Sequence, residues 1–353
     1  MSNTGFEKQD RNPSEDRMRV KEAASRICEW YAASRRVLPW REDPTPYHTW
    51  IAEIMLQQTR IEAVIPYYQR FLKALPDIPS LAAVSEDRLL KLWEGLGYYS
   101  RARNLKKCAQ TVVENYGGLF PRTAEELVKL PGIGPYTAGA IASIAFGEKE
   151  PAVDGNVLRV MARLYEDGGN VTDQRVRDRW TGFLRDRMGD RPGDLNQSFM
   201  DLGSLVCLPK SPLCGDCPLA PFCGAYAHGT QGDYPNRGEK RAKRQESLTV
   251  FAVSSGDSFL IRRRPAKGLL SGLYELPNLP GHLSQAEIGQ ALTSLGVRPL
   301  GAWEIVQRQH IFTHVIWHMQ VVRLAVEERD DVPGCMWYTG SEPIPEAFSK
   351  CLP

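Results

Sequence analysis

Two carboxylates and four thiols carry the chemistry this sequence can do. Glu53 stands in Trp50-Ile-Ala-Glu-Ile-Met-Leu56, among apolar residues that repeat at helical spacing. A carboxyl buried in such a setting holds its proton toward neutral pH and becomes a proton donor. The other reading is a glutamate at the helix edge that reaches solvent. Asp154 lies in Ala152-Val-Asp-Gly-Asn156, directly ahead of the helical run LRVMARL. There it serves either as a cap or as a second carboxylate kept ionised by the helix dipole. A neutral acid beside an ionised carboxylate is the arrangement that cleaves glycosidic bonds, and an N-glycosidic bond needs the same two roles.

The thiols are Cys207, Cys214, Cys217 and Cys223, inside LVCLPKSPLCGDCPLAPFC. Sulfur at such close, unequal spacing converges on one centre, and soft ligands select zinc or an iron–sulfur cluster. A structural zinc site usually shows two short knuckles, whereas this quartet has one Cys-x2-Cys. Disulfides are not expected, because nothing at the N-terminus resembles a secretory signal. Cys28, Cys108, Cys335 and Cys351 are scattered and read as buried or incidental thiols.

These residues need a scaffold of helices. From about Met18 to Tyr226 the apolar pattern is helical, broken by Pro and Gly, which predicts an all-α domain. Within it, Leu130-Pro-Gly-Ile-Gly-Pro-Tyr-Thr137 leads into AGAIASIAFG. Gly132 and Gly134 suit a tight turn between two helices, either a plain corner or a cradle of backbone N–H groups for a phosphate. Residues 1–17 are polar and aperiodic and read as a disordered tail, and 229–247 as a linker. Its basic residues Arg237, Lys240, Arg241, Lys243 and Arg244 read by default as solvated. From 248 to 353 the pattern becomes β-rich, with one amphipathic helix near 283–296, so a multidomain chain ends in an α+β domain. A charged content of 24% and a hydrophobic content of 42% are those of an ordinary globular protein, and no apolar run is long enough to span a membrane. A net charge of +2 neither demands nor excludes nucleic acid.

Taken together, LPGIGPYTA, the aspartate of VDGN and the Cys-x6-Cys-x2-Cys-x5-Cys quartet resemble the helix–hairpin–helix DNA glycosylase superfamily. LPWR at 38–41 and EIMLQQTR at 53–60 resemble the adenine DNA glycosylases of the MutY type. The resemblance implies a helical domain over 18–228, with its hairpin near 125–145 and a [4Fe–4S] loop at 207–223. It implies excision of adenine mispaired with 8-oxoguanine, or with G, from double-stranded DNA after base flipping, in base excision repair. Glu53 then matches the acid that protonates adenine N7, Asp154 the carboxylate that stabilises the oxocarbenium ion, and Asn156 the residue that positions both aspartate and water. Tyr136 stands where the related endonuclease III enzymes carry a Schiff-base lysine. Tyrosine has no amine, which implies a monofunctional enzyme. Gln58 and Tyr98 match residues that wedge into the base stack, with Thr59 and Leu96 beside them. Trp40, Arg41 and Gln197 match the adenine pocket. Lys210, in the cluster loop, is a candidate phosphate contact.

The last domain resembles the family's Nudix-like domain but lacks the glutamate run REUxEExGU that binds magnesium, so pyrophosphate hydrolysis is not expected. Phe312-Thr313-His314 matches the loop that reads 8-oxoguanine, with threonine in place of the family's serine. The resemblance further implies a monomer in the bacterial cytoplasm at the nucleoid, with repair or replication proteins docking on the linker. A thymine glycosylase for G:T pairs, an endonuclease III-like lyase and a non-catalytic iron–sulfur protein that binds damaged DNA are the competing readings. The C-terminal domain, Tyr136, and the Glu53–Asp154 pair respectively argue against them.

Overall fold

The computed structural model describes residues 13–238 and 242–352. It divides into two compact units. One takes the chain up to Ala82 and resumes at Asn104 for the rest of the helical part; the other joins Ala83–Arg103 to the strands that follow.

The helices of the first unit are α1 (Pro13–Ser34), α2 (Pro39–Glu42), α3 (Pro46–Leu56), α4 (Ile61–Ala74) and α5 (Ile78–Ala83). After α6 (Glu86–Leu92) come α7 (Ser100–Tyr116), α8 (Ala124–Leu127), α9 (Pro135–Phe146), α10 (Gly155–Tyr165), α11 (Gln174–Arg185), α12 (Pro192–Leu205) and α13 (Gly224–His228). Their starts follow local chemistry. Thr45 accepts the N–H of His48 ahead of α3, Asp154 caps α10, and proline opens α3, α9 and α12, where a missing N–H costs nothing. α10 and α12 share a core built on Val157, Leu158, Met161, Leu195 and Leu202, closed by Trp180 of α11. Each such side chain contributes about 1.5–3 kcal/mol by leaving water.

Of the tail expected over 1–17, residues 1–12 lie outside the described residues, while 13–17 form the first turns of α1. Pro13 followed by Glu15 and Asp16 is a favourable helix start, a signal that polarity alone conceals.

In the second unit β1 (Arg244–Ser255), β2 (Ser258–Arg263), β3 (Tyr274–Glu275), β4 (Asn278–Pro280), β5 (Glu304–Ile311), β6 (Val315–Ala325) and β7 (Met336–Trp337) form one mixed sheet. Its central pair, β1 and β6, is parallel, with Arg244 opposite Val315 and Ser254 opposite Ala325. Alternate residues divide the core: Val250 and Ala252 face a cluster with Trp317 and Phe348, whereas Phe251 and Val253 face Ile288 and Leu292 of α14 (Gln285–Ser294). A last short helix, α15 (Glu346–Ser349), supplies Phe348. Ser284 and Glu287 form a capping box on α14, so the acid in that helix is committed to its own N-terminus.

The sheet begins earlier than the expected 248. Residues 244–247, read as linker, already pair with β6, because its upstream end supplies partners for their backbone groups. Lys240 and Arg241 lie outside the described residues. The segment Ala83–Arg103, read as part of the helical domain, is held within the second unit by polar contacts. Lys91 Nζ donates to Tyr338 Oη at 3.1 Å, Glu94 accepts the N–H of Ile344 at 2.7 Å, and Arg103 donates to the Ser271 carbonyl at 2.7 Å.

Candidate active site

Glu53 sits in α3 between Ile51, Ala52, Ile54 and Met55, all buried, and is itself only 6% exposed. Burial pushes its pKa from 4.5 up to about 7. A hydrogen bond from Tyr136 and the charge of Arg41 pull it back, while Asp154 pushes it further up. Tyr136 Oη donates to Glu53 Oε2 at 2.6 Å. That phenol lies at the second residue of α9, and burial beside two carboxyls holds its own pKa well above the usual tyrosine range.

Asp154 has a different environment. Its Oδ1 accepts the N–H groups of Asn156 and Val157, each at 2.8 Å, and its Oδ2 accepts from Asn156 Nδ2 at 2.8 Å. Burial lifts this pKa too, but the two backbone donors, Asn156 and Arg159 oppose it. The helix cap and the second candidate carboxylate are therefore one residue. Three donors and a helix N-terminus stabilise the charge of Asp154, whereas Glu53 receives one phenol hydrogen bond and the more distant charge of Arg41, which favours Asp154 as a carboxylate and Glu53 as a neutral acid.

The pair lines one cleft of about 370 Å³, together with Trp40, Arg41, Thr59, Tyr136, Asn156 and Gln197. Eight residues proposed from sequence thus share one cavity. The turn before α9 divides its work between the two glycines. Gly132 has a φ of +76°, and a Cβ there would lie 2.6 Å from Asn104 Cβ. Gly134 has a φ of −89° and serves as the N-cap, with open space where a Cβ would be, so only Gly132 demands glycine.

Several residues that organise the site escaped the sequence reading. Asn196, buried in α12, accepts the N–H of Ala152 and donates to Ser143 Oγ and the Glu150 carbonyl, which fixes the loop leading to Asp154. Arg159 donates to Asn156 Oδ1 at 2.9 Å, to the Gly203 carbonyl and to the Cys207 carbonyl. Asp201, 1% exposed, receives both Arg36 and Arg41. A charged residue within an otherwise apolar helical run, as in LRVMARL and FMDLG, was the available signal.

Cys207, Cys214, Cys217 and Cys223 line one apolar cavity with Val160, Leu164, Leu202, Leu219 and Ala220. Among the described residues no group of three or more His, Cys, Asp or Glu side chains is placed to hold a metal ion directly. Arg163, buried in α10, donates to Cys207 Sγ at 3.4 Å and to the carbonyls of Leu208, Pro209, Gln231 and Tyr234. Backbone N–H groups reach the sulfurs of Cys217 and Cys223. Burial pushes the Cys217 thiol up to about 12. Lys210 is exposed in the same loop.

Gln58, exposed after α3, and Tyr98, 46% exposed in the second unit, are non-glycine residues at φ 59° and 47°. Each conformation costs of order 1–3 kcal/mol, and such strain persists where the surroundings enforce it. Around Tyr98, Arg101 donates to the carbonyls of Leu96 and Gly97, and Trp93 Nε1 donates to Gly97 at 3.0 Å. Leu96 is buried. Tyr98 Oη lies 2.7 Å from Thr313 Oγ1, so two residues far apart in sequence meet within one unit. Phe312 packs edge-on to Trp317, while Thr313 and His314 are exposed at the β5–β6 turn. Lys243 Nζ donates to the Phe312 carbonyl and the Arg244 N–H to the His314 carbonyl. The Lys243 ammonium is thus engaged rather than merely solvated, and the exposed Arg244 guanidinium pairs with Glu246 at 2.6 Å; Arg237 is exposed.

Residues 51–184 match the HhH-GPD superfamily of base excision DNA repair proteins, and 249–352 match the NUDIX domain. The solved structure of a thermostable thymine-DNA glycosylase is similar at a TM-score of 0.55 and 28% identity, over 60% of this chain and 99% of that one. Endonuclease III in a non-covalent complex with DNA gives 0.52 and 25%, over 63% and 99%. The adenine DNA glycosylase of Mus musculus is 35% identical across 93% of this chain and 76% of its own length, and that of Homo sapiens 34% across 92% and 72%. Those two structures cover under two thirds of the chain, whereas the adenine enzymes match nearly all of it, Nudix-like part included. The chain belongs to the adenine DNA glycosylases, enzymes of base excision repair.

Proposed function

We propose that this enzyme excises adenine placed opposite 8-oxoguanine, or opposite G, from duplex DNA by a retaining, two-step hydrolysis. The observation that carries the reading is a neutral acid and a capped carboxylate lining one cleft. Glu53 donates its proton to adenine N7, and the C1′–N9 bond breaks with its electrons leaving on the base. The sugar cation is met by Asp154, whose oxygen closes on C1′ from the opposite face. Glu53, now ionised, takes a proton from water as that water attacks C1′ and frees Asp154. Asn156 holds Asp154 through Nδ2 during both steps. Tyr136 offers a phenol and no amine, so no imine forms and the strand stays uncut.

Gln58, in the first unit, and Tyr98, in the second, each keep the wedge role that the family resemblance gives them, which offsets the cost of unstacking. Thr313, tied to Tyr98, reads the oxidised guanine, and its hydroxyl supports that role where the family carries serine. Cys207, Cys214, Cys217 and Cys223 would hold a [4Fe–4S] cluster. The fit rests on four sulfurs around one apolar cavity, with N–H and guanidinium donors to balance thiolate charge. Bound there, a cluster would supply no step of the hydrolysis; the four cysteines would hold in one shape the loop that carries Lys210, the candidate contact for a DNA phosphate.

Single-turnover assays on duplexes carrying A opposite 8-oxoguanine, T opposite G, and thymine glycol opposite A test the assignment. Release of adenine from the first is expected; release only from the other two would overturn it.

A further inference from the structure

Asp201 has no place in the reaction as written, yet it is a fully buried carboxylate among the cleft's cations. It sits on the inward face of α12. Arg41 reaches it as a fork, Nη1 to Oδ2 at 2.8 Å and Nη2 to Oδ1 at 3.0 Å. Arg36 reaches Oδ1 through Nε at 3.1 Å and also through Nη2, which further donates to Ser204 Oγ at 3.0 Å. The Arg41 guanidinium lies over the ring of Tyr31 at 5.5 Å, which closes its other side. Both terminal nitrogens of Arg41 are therefore spent on Asp201, although Arg41 and Arg36 line the same cleft as Glu53.

We propose that Asp201 is a positioning residue for adenine excision: it ties Arg41 and Arg36 to α12 and keeps their charge from claiming the Glu53 carboxylate. The proposal rests on Glu53 being the acid. A free guanidinium in a low-dielectric cleft pairs with the nearest carboxylate, and that pairing would take the proton from Glu53. Burial would lift Asp201 itself, but the hydrogen bonds and charges of Arg41 and Arg36 outweigh it and hold Asp201 below the usual aspartate range. Asp201 thus stays ionised while Glu53 titrates. The groups facing Glu53 are Tyr136 from α9, Asp154 ahead of α10 and Arg41 from α2; Arg36, Arg60 and Glu62 also line the cleft. Of these, Arg41 is the cation that lowers the Glu53 pKa, and Asp201 is the carboxylate that neutralises it.

The test is the pH dependence of single-turnover excision from A:8-oxoguanine duplex by the full chain, from about pH 5.5 to about pH 9. Asp201→Asn should shift the alkaline limb down by about one pH unit, so that the rate falls roughly tenfold above neutrality and less than about threefold at the acid end. Asp201→Glu should restore the parent limb. Arg41→Gln should shift the limb upward, which keeps the idea testable if Asp201→Asn does not fold. A loss of equal factor at every pH, with the limb unmoved, would show a merely structural carboxylate and refute the proposal; so would an Arg41→Gln limb at the parent position. If Glu53→Gln excises adenine at the parent rate, the acid assignment fails instead, and the two failures are distinguished.

Discussion

A carboxyl that cannot reach water must find another way to lose its charge, and Glu53 keeps its proton. Its pKa of about 7 lies above the ordinary 4.5, so the native state binds this proton more tightly than the unfolded chain. The stability contributed by that proton is complete below about pH 4.5 and is lost as pH rises through 7, a difference of roughly 3 kcal/mol. Glu53→Gln should therefore resist urea better than the parent at pH 8, and this advantage should disappear toward pH 5. In the proposed reaction the same proton is the reagent, so the single-turnover rate of the parent should fall about tenfold per unit above pH 7. Asp154→Asn should lower that rate by at least about 10³-fold, because an amide can neither balance nor bond the sugar cation, while binding to uncleavable duplex stays within about threefold. An active Asp154→Asn enzyme would remove this residue from the reaction. Glu53 was legible in sequence because three apolar residues flank it on each side, Trp50 to Ala52 and Ile54 to Leu56. Asp201 was not, because its partners come from Arg36 and Arg41, far away in the chain.

At the scale of elements, the site depends on how closely α10 and α12 approach. Gly203 in α12 allows that approach, since a Cβ there would lie 2.5 Å from Asn156 Cβ. Gly203→Ala must push Asn156 aside, and Asn156 holds Asp154. The substitution should cost about 1–3 kcal/mol in a urea melt and slow excision about tenfold or more; wild-type rate with an unchanged melt would show that the two helices have slack. Spacing and proline placement predicted the helices. It could not show which glycines matter, because a glycine needed for a turn and one needed for close packing look alike in sequence. Gly132 has its left-handed φ, Gly203 has its crowded Cβ, and Gly134 has neither requirement.

At the scale of the molecule, the second unit joins Ala83–Arg103 to the sheet, and so brings Tyr98 to Thr313. Thr313→Ala removes the only hydroxyl in Phe312-Thr313-His314 and loosens Tyr98. It should reduce the preference for A opposite 8-oxoguanine over A opposite G by about threefold to tenfold while leaving the maximal rate on the preferred pair within about threefold. An unchanged ratio would exclude Thr313 as a reader of the lesion. The apolar alternation of β1 and β6 was visible in the sequence, but their parallel pairing was not, since period two says which face is buried and not which strand lies alongside.

The sequence by itself determined the helical and β-rich halves, the hairpin, the cysteine loop and both carboxyls, because these follow from local periodicity, spacing and residue type. Only the tertiary structure decided that Tyr136 reaches Glu53, that Arg159 joins Asn156 to the cysteine loop, and that Asp201 binds two arginines. Those partners are set by which helices pack together. Packing depends on the summed burial of many side chains, so no short stretch of sequence encodes it.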